Sequence, residues 1–410
     1  MGIFKKKKPT DVFVPRSPVI VDAVYIPREK LERQLIRAIE GTKNVLLKGQ
    51  SGCGKSWLYK KVFQDNSVKY LVVDLSDASV EGSSVDKAIE NAFNAHRRKE
   101  YEKESYTDIK GAEANSLVAK ANLQTENTYK RVDTILERVF KYLSNKKEKS
   151  VLVLDNLEHI CDSDMLLNEL NSILMKVDNF DFSKYNVKIL VVGTPIGVEK
   201  FYRNVKNMDT ISNRIEEIEE VKGLEKKEAI SLFLKKTFVD QLGIDFEAKV
   251  LNQYSKYILE VTNGIPQRLH EYCLQLYYAI EDNGGKTDFS VHKIADEEYL
   301  RTSFLKYSTI VQKHLNSYET TEQRRNQVIY CLPKIKKMIF STVEMENLVR
   351  KEFNIETAAN IQLSNVLFQL TEGDNPLLSK SDSKWVVQDS QYIIVIKLLL
   401  AKKNGRVYKK

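Results

Sequence analysis

The chain has 410 residues, which is more than one ordinary domain needs and suits two or three domains. Its 42% hydrophobic residues are sufficient for packed cores, and its 29% charged residues indicate a soluble surface. The four cysteines lie far apart and include no C-x-x-C pair, which argues against a disulfide framework and against a zinc site.

The formal net charge of +8 is concentrated in the last third of the chain. Residues 301–410 contain 18 Lys and Arg against 10 Asp and Glu, which accounts for the whole excess. A basic region of this kind is typical of proteins that contact nucleic-acid phosphates, and it is also typical of a lysine-rich solvated surface. Composition leaves both interpretations open.

Apolar runs long enough to span a membrane are not expected. The most apolar run, Tyr392 to Ala401, is about half the length that a spanning helix needs and includes Lys397. The N-terminus lacks the apolar stretch of a signal peptide. We therefore expect a cytoplasmic protein.

In chain order, residues 1–20 are predicted to form a basic, loosely ordered arm, and a helix follows Pro27. Residues 83–146 are predicted to be helical and highly charged, with a mobile polar loop at 111–128. Four apolar runs and one alternating run are predicted strands: Asn44–Lys48, Lys69–Leu75, Ser150–Asp155, Val187–Gly193 and Ile215–Val221. Apolar strands separated by helices predict a parallel sheet covered on both faces.

The region after the fifth strand is predicted to be helical from Lys226 to about Asn283, with a break at Gly264–Pro266. The last third contains three short predicted helices and then a hairpin, over Gln327–Ile335, Thr342–Phe353, Ala358–Thr371 and Leu377–Gln388. Three helices followed by a hairpin is the order of elements in a winged helix.

A P-loop motif, G-x-x-x-x-G-K-[ST], lies between the first strand and a helix. Glycines let the backbone curl so that successive N–H groups face phosphates, and the helix adds its N-terminal dipole. Lys55 would reach the β- and γ-phosphates of a nucleotide, most simply ATP, and the Ser56 hydroxyl would bind Mg²⁺. The predicted nucleotide-binding residues here are Gly49, Gln50, Ser51, Gly52, Cys53, Gly54, Lys55, Ser56 and Trp57.

A P-loop also needs a second strand that ends in a carboxylate, to hold the water shell of the magnesium ion, and Asp155 supplies it at the end of the strand Ser150–Asp155. Many P-loop proteins have Glu directly after this Asp, but here the neighbour is Asn156. Two hypotheses stay open. Either Glu158, aided by His159, polarises the attacking water, or turnover is slow and the ATP-bound state is long-lived.

Three further residues are candidates for contacts with the reacting phosphate. Thr194 follows the strand Val187–Gly193, Arg214 precedes the fifth strand, and Arg268 follows Gly264–Pro266 near a helix start. Arginine stabilises charge on a transferring phosphoryl group because it stays protonated and binds two oxygens at once. Each residue also has a purely structural interpretation. Thr194 could cap a helix, and the two arginines could be surface cations.

These features occur in an order that resembles AAA+ ATPases of the Orc1/Cdc6-like group and the related STAND-type signalling NTPases. The resemblance covers residues 22–400, and its one individually specific motif is the P-loop. It implies an α/β P-loop ATPase domain at 21–222 with a parallel sheet of order 5-1-4-3-2. It also implies a helical lid at 223–300 and a winged helix at 301–410.

The resemblance also implies roles for single residues. Ile26 and Arg28 would line the adenine side, while Thr194 would act as sensor 1 and Arg268 as sensor 2. Arg214 would be an arginine finger that reaches a neighbouring subunit. Pro266 belongs to the G-x-P element by which STAND proteins couple the lid to bound nucleotide.

Two functions follow from this resemblance. The first is an ATP- and Mg²⁺-dependent switch that forms oligomers with nucleotide and engages double-stranded DNA through its winged helix. The second is a signalling or phage-defence ATPase whose winged helix and charged region at 95–130 bind a separate partner protein. A metabolic kinase fits less well, because no segment resembles a small acceptor site.

Overall fold

The computed structural model describes residues 7–108, 133–144, 149–177, 179–204, 208–316, 323–335 and 337–410. The chain folds into two compact units. The sheet unit comprises residues 18–20 and 27–222, and the helical unit comprises the described part of 1–17 together with 21–26 and 223–410. The polar loop predicted at 111–128 lies outside the described residues.

The strands of the chain are β1 (Asn44–Lys48), β2 (Lys69–Asp74), β3 (Ser150–Asp155), β4 (Val187–Gly193), β5 (Ile215–Glu217), β6 (Ile339–Ser341), β7 (Leu378–Ser381), β8 (Lys384–Val387), β9 (Leu400–Lys403) and β10 (Arg406–Lys409). The first five belong to the sheet unit and the others to the helical unit.

The α-helices are α1 (Pro9–Val12), α2 (Glu29–Glu40), α3 (Lys55–Asp65), α4 (Val85–Asp108), α5 (Ile135–Leu143), α6 (Asp164–Val177), α7 (Phe180–Ser183), α8 (Pro195–Asn204), α9 (Met208–Ser212), α10 (Lys227–Leu234), α11 (Ala248–Thr262), α12 (Pro266–Asp282), α13 (His292–Ser303), α14 (Leu305–Lys313), α15 (Arg324–Cys331), α16 (Thr342–Phe353), α17 (Leu363–Gln369) and α18 (Ser390–Leu399). A π-helical segment, Lys235–Gln241, continues α10. None of the described helices is both long and apolar enough to cross a membrane.

Strands β1 to β5 form one parallel sheet in the spatial order β2-β3-β4-β1-β5. This is the predicted order 5-1-4-3-2 counted from the other side of the sheet, so the predicted fold class is confirmed. All six residues of β3 are buried, as expected for a central strand covered on both faces. The apolar residues of β2, β3 and β4 join those of α4, α5 and α6 in one core.

The register of the sheet brings strand ends together. Asp74 of β2 pairs with Asp155 of β3, and Lys48 of β1 pairs with Gly193 of β4. Because parallel strands end at the same edge, the residues that follow them share the carboxyl edge of the sheet. β5 ends at Glu217, before the predicted Val221, which returns to the sheet as a single bridge to Gly49.

The start of the chain packs into the helical unit. Val12 and Phe13 are buried, and the Phe13 and Phe238 ring centroids are 5.3 Å apart. The Val14 N–H donates to Nδ1 of His270 at 3.2 Å, and burial lowers the pKa of His270 to about 4, which keeps this nitrogen an acceptor. Part of the segment expected to be a loosely ordered arm is therefore held by the helical core.

The C-terminal third contains α15, α16 and α17 and an antiparallel sheet of order β6-β8-β7, in which β6 lies between α15 and α16 in the chain and β7 and β8 follow α17; this arrangement is compatible with a winged helix. Helix α17 begins at Leu363 and not at Ala358 as predicted. Gln362 has a φ of 46°, in the left-handed region, and its N–H donates to the Asn360 side chain. Both features oppose an α-helix at these two residues.

Candidate phosphate-binding site

The loop between β1 and α3 has the curled backbone that its motif predicts. Gly52 and Gly54 have φ values of 78° and 83°, a region that favours glycine. A Cβ atom at Gly49 would lie 2.4 Å from the carbonyl oxygen of Val221. Larger residues at these positions would therefore disturb the loop. Gln50 and Ser51 lie in the same loop.

Lys55, the first residue of α3, places its ammonium group beside this loop. Lys55 Nζ donates to the carbonyl oxygens of Gly49 at 2.8 Å and Gln50 at 3.3 Å, so the ammonium lies against the loop. The first-turn N–H groups of α3 and its dipole favour an anion at the same position. Cys53 is buried and Trp57 is half-buried, and Lys55 is the one basic residue between Gly49 and Trp57.

Asp155, at the carboxyl end of β3, contacts α3 through two hydroxyl groups. Ser56 Oγ donates to Asp155 Oδ2 at 3.2 Å, and the Tyr59 hydroxyl donates to the same oxygen at 3.0 Å. Burial raises the pKa of the Asp155 carboxyl, while the hydrogen bonds from Tyr59, the Asn156 N–H and Ser56 lower it. The oxygen atoms of a serine hydroxyl and a neighbouring carboxylate are suitable ligands for Mg²⁺, which keeps several water ligands as well.

Asn156 is held by a carboxylate from the neighbouring strand. Its backbone has a φ of 65°, which asparagine tolerates better than most residues. Its Nδ2 donates to Asp74 Oδ1 at 2.9 Å, and the Ser76 N–H donates to the same oxygen at 2.9 Å. Burial opposes ionisation of Asp74, but these hydrogen bonds outweigh it and lower its pKa below the usual range.

Glu158 and Thr194 are also brought together. Glu158 Oε2 accepts a hydrogen bond from the Thr194 N–H at 2.9 Å, and Thr194 Oγ1 accepts one from the Gly197 N–H at 3.2 Å. The two side chains therefore satisfy backbone groups at the start of α8. Glycine at 197 makes room, since a Cβ there would lie 3.0 Å from the Glu158 backbone. His159 is exposed.

Arg214 lies at the amino edge of the sheet, where the strands begin, whereas the P-loop lies at the carboxyl edge, where they end. Its carbonyl oxygen accepts the Asn44 N–H at 2.9 Å, where β1 begins, whereas the P-loop follows the last residue of β1. At about 3.3 Å per residue, the four steps from Asn44 to Lys48 span roughly 13 Å. Arg214 Nη1 donates to the Thr210 carbonyl at 2.9 Å. Arg214 is therefore not placed with the P-loop of its own chain.

The remaining predicted residues are divided between the two units. Arg28 belongs to the sheet unit, and its Nη1 donates to the Lys222 carbonyl at 3.0 Å. Ile26 belongs to the helical unit and is 8% exposed. Pro266 is the first residue of α12, and Arg268 Nη2 lies 3.4 Å from the Gln391 side-chain oxygen, both within the helical unit. Their contacts with a nucleotide remain predictions.

Residues 37–201 match the family described as "AAA domain". The chain therefore contains an AAA domain. The comparison with curated proteins found no match. The AAA domain is the part of the chain that carries β1 to β4, the P-loop, Asp155 and Thr194.

Solved structures share the fold of the AAA domain and of the regions beyond it. The Walker-type ATPase paby2304 of Pyrococcus abyssi is 16% identical, with a TM-score of 0.54 over 94% of this chain and 99% of that chain. The ORC2 protein of Aeropyrum pernix, in its ADPNP–ADP complexes, is 14% identical, with a TM-score of 0.52 over 97% of this chain and 98% of that chain. The resemblance to Orc1/Cdc6-like AAA+ ATPases is confirmed at the level of fold.

Two residues of the AAA domain site, Asp74 and Tyr59, were not found by sequence reasoning. Asp74 ends an apolar strand in the same way as Asp155 does, and this repeated pattern is the signal that would have identified it. Tyr59 carries no comparable signal. It lies one turn beyond Lys55 on a helix whose buried residues are otherwise apolar, so a tyrosine there is expected in the core.

Proposed function

We propose that the chain is an ATP-binding and ATP-hydrolysing switch of the AAA+ type, which forms oligomers with nucleotide and engages DNA through a C-terminal winged helix. Lys55 and the loop N–H groups would bind the phosphates, and Ser56 and Asp155 would hold Mg²⁺. Thr194 would contact the γ-phosphate or the attacking water. Mg²⁺ would neutralise charge that develops on the β- and γ-phosphate oxygens.

One observation carries the nucleotide-binding part of this proposal. The Lys55 ammonium, the glycine-shaped loop and the Ser56–Asp155 pair converge at the carboxyl edge of the sheet, over contacts of 2.8 to 3.2 Å. Ligands of open α/β sheets bind at this edge. The similar ORC2 protein of Aeropyrum pernix has been solved in ADPNP–ADP complexes, which supports an adenine nucleotide as the ligand.

Nucleotide binding by a Lys55→Ala variant tests this proposal. We expect ATP affinity with Mg²⁺ to fall by about 100-fold or more, since a charge-assisted phosphate contact contributes roughly 3 kcal/mol. Lys61→Ala is the matched control, because Lys61 lies on the same helix but pairs with Asp65. Equal ATP affinity of the Lys55→Ala variant and the parent would contradict the proposal. Phosphate release by the parent protein tests hydrolysis separately.

The carboxylate that would polarise the attacking water has one candidate from the sequence, Glu158. If Glu158 has this role, Glu158→Gln retains ATP binding and loses turnover. If Glu158 serves only to cap α8 through the Thr194 N–H, a glutamine oxygen accepts the same hydrogen bond and turnover persists. Comparing ATP affinity and phosphate release of this variant separates the two roles.

The proposed DNA contact depends on lysines and not on α17, which has no Lys or Arg. Lys402 Nζ is paired with Glu352 at 2.7 Å, and Lys380 lies 4.6 Å from the Phe368 ring centroid. Lys384 and Lys403 are also exposed but make no ion pair or ring contact with the described residues, so they are the better candidates for phosphate contacts. Each contact with a DNA phosphate releases counterions, so binding should weaken steeply with salt.

Binding to nonspecific duplex DNA at several salt concentrations tests this part of the proposal. The combined variant Lys384→Ala/Lys403→Ala should reduce the slope of log affinity against log salt by about two. Lys402→Ala, whose ion pair with Glu352 is internal to the chain, is the control. A slope near zero in the parent protein would exclude the DNA function.

The alternative function is a STAND-like signalling or phage-defence ATPase that binds a partner protein. The absence of cations on α17 favours this alternative, because recognition helices in DNA grooves usually present them. The charged region at 95–130 would be the partner-binding segment, and residues 109–130 of it lie outside the described part of the chain. Sizing the protein with and without a non-hydrolysable ATP analogue, and with and without DNA, distinguishes the two functions.

A further inference from the structure

Strands β9 and β10 form a hairpin with a high density of positive charge. Residues 400–410 contain five Lys and Arg and no Asp or Glu. The two strands are joined by Asn404 and Gly405, whose φ values are 50° and 72°. An Asn-Gly pair with both φ angles positive is typical of a two-residue turn whose twist matches that of the flanking strands. The hairpin is therefore tight and well defined in shape.

The register of the hairpin gives it two different faces. Residues directly opposite each other in an antiparallel pair point to the same side, and successive residues alternate between the sides. Leu400 and Val407 lie on one side, the inward face, and are 4% and 3% exposed. Lys403 and Arg406 are directly opposite each other on the other side, the outward face, and both are exposed.

Two lysines of the inward face have partners within the chain. Lys402 Nζ lies 2.7 Å from a Glu352 carboxylate oxygen, and Lys409 Nζ donates to the Gln312 side-chain oxygen at 2.7 Å. These contacts and the buried apolar residues of the same face hold the hairpin in a fixed orientation. A ligand of the outward face would therefore bind a surface that is already ordered, which reduces the entropic cost of binding.

The outward face places two like charges next to each other. Like charges at directly opposite positions of a sheet are destabilising. The Lys403 side chain makes no ion pair or hydrogen bond with any described residue. An anion that contacts both side chains would replace the repulsion with attraction.

We propose that the outward face of the β9–β10 hairpin contacts the phosphate backbone of double-stranded DNA through Lys403 and Arg406. This inference rests on the proposed DNA function and assigns phosphate contacts to an element outside α15 to α17 and the sheet β6-β8-β7. Lysine and arginine are common donors to DNA phosphates, and a two-stranded β-ribbon is narrow enough to approach the major groove.

The composition of the exposed tip favours DNA over a protein partner. Residues 402–406, with the sequence Lys-Lys-Asn-Gly-Arg, are all exposed and include no apolar side chain. Protein interfaces have a core with few charged residues and are depleted in lysine. Phosphate contacts, in contrast, need cations and amides that water can still reach at their margins.

The experiment measures the affinity of full-length variants for several nonspecific duplexes between about 50 and 200 mM salt. Lys403→Ala/Arg406→Ala should lower the slope of log affinity against log salt by about two, so that this variant loses roughly tenfold less affinity than the parent over the range. The change should be the same for every duplex sequence, because phosphate contacts carry no sequence information.

The decisive single variant is Lys403→Glu. The introduced carboxylate faces Arg406, so attraction replaces repulsion within the hairpin, and the melting temperature should be at or above that of the parent. The salt slope should still fall by about two, because one phosphate contact is lost and the other cation is neutralised. Lys402→Ala, which changes the neighbouring lysine on the inward face, is the matched control and should leave the slope unchanged.

The outcomes separate this inference from the proposed function. A parent protein with a slope near zero would overturn the DNA function and this inference together. A steep parent slope that Lys403→Glu leaves unchanged would overturn only the inference, because the DNA contacts then lie elsewhere. Loss of binding to poly-L-glutamate with no change in the DNA slope would identify an acidic protein surface as the ligand and would also overturn it. If thermal melting shows that Lys403→Ala/Arg406→Ala unfolds, Lys403→Glu carries the test alone.

Discussion

The two edges of the five-stranded sheet both bury polar side chains, but these side chains have different partners. At the carboxyl edge, Asp155 is 8% exposed and accepts hydrogen bonds from the side chains of Ser56 and Tyr59. At the amino edge, Asn44 is 1% exposed, and its side-chain oxygen accepts the backbone N–H of Ile189 at 3.0 Å. The Asp155 carboxylate therefore contacts the helix that follows the P-loop, whereas the Asn44 side chain stabilises the sheet.

Burial of a polar residue is therefore a poor guide to function in this chain, and the identity of its partner is a better one. A buried side chain that satisfies a neighbouring strand contributes to stability. A buried side chain that contacts other side chains beside an anion-binding loop can respond to a ligand. Arg214 does not fit this division between the two edges. It lies at the amino edge, away from the P-loop of its own chain, and is still predicted to take part in hydrolysis.

The largest expected effect would come from Arg214→Ala. If Arg214 acts on a neighbouring subunit, turnover should fall by about 1,000-fold, while ATP affinity should remain close to that of the parent. Mixing this variant with Lys55→Ala protein should partly restore phosphate release, because one subunit then supplies the arginine and the other the intact P-loop. No rescue at any mixing ratio would contradict a finger acting in trans.

A smaller effect is expected from Tyr59→Phe at the carboxyl edge. The change removes one hydrogen bond to Asp155 Oδ2 and keeps the ring, which is buried in the core. A loss of about 1 kcal/mol at this carboxylate corresponds to a change of roughly fivefold. The measurement is the Mg²⁺ concentration needed for half-maximal ATP binding. An unchanged Mg²⁺ requirement would show that Ser56 and the Asn156 N–H are sufficient to hold Asp155.

The smallest effect on nucleotide binding is expected from Asn44→Ala at the amino edge. Loss of the hydrogen bond to the Ile189 N–H should lower the free energy of unfolding by about 1 kcal/mol. ATP affinity should stay within about twofold of the parent, because Asn44 lies at the opposite end of β1 from the P-loop. Chemical denaturation and ATP titration provide the two measurements, and a large loss of affinity would show that the edges are coupled.

Much of the fold could be predicted from the sequence because its signals are local. The ends of β1, β3 and β4 match the predicted apolar runs, since a strand buried on both faces must be apolar along its length. The boundaries of β5 and α17 were less accurate. β5 is shortened where the chain leaves the sheet after Glu217, and the start of α17 depends on the backbone conformation of Gln362.

By itself, the sequence determined the P-loop, the carboxylate of Asp155 and a parallel sheet, because these features depend on residue types at fixed spacings and on apolar runs separated by helices. The order of the strands was implied by the resemblance to Orc1/Cdc6-like AAA+ ATPases. Only the tertiary structure decided that Asn156 is held by Asp74, that Tyr59 reaches Asp155, that Glu158 contacts the Thr194 N–H, and that Arg214 lies at the other edge. Each of these contacts joins residues that are distant in sequence or belong to different strands, so it depends on register and side-chain direction, which no local pattern encodes.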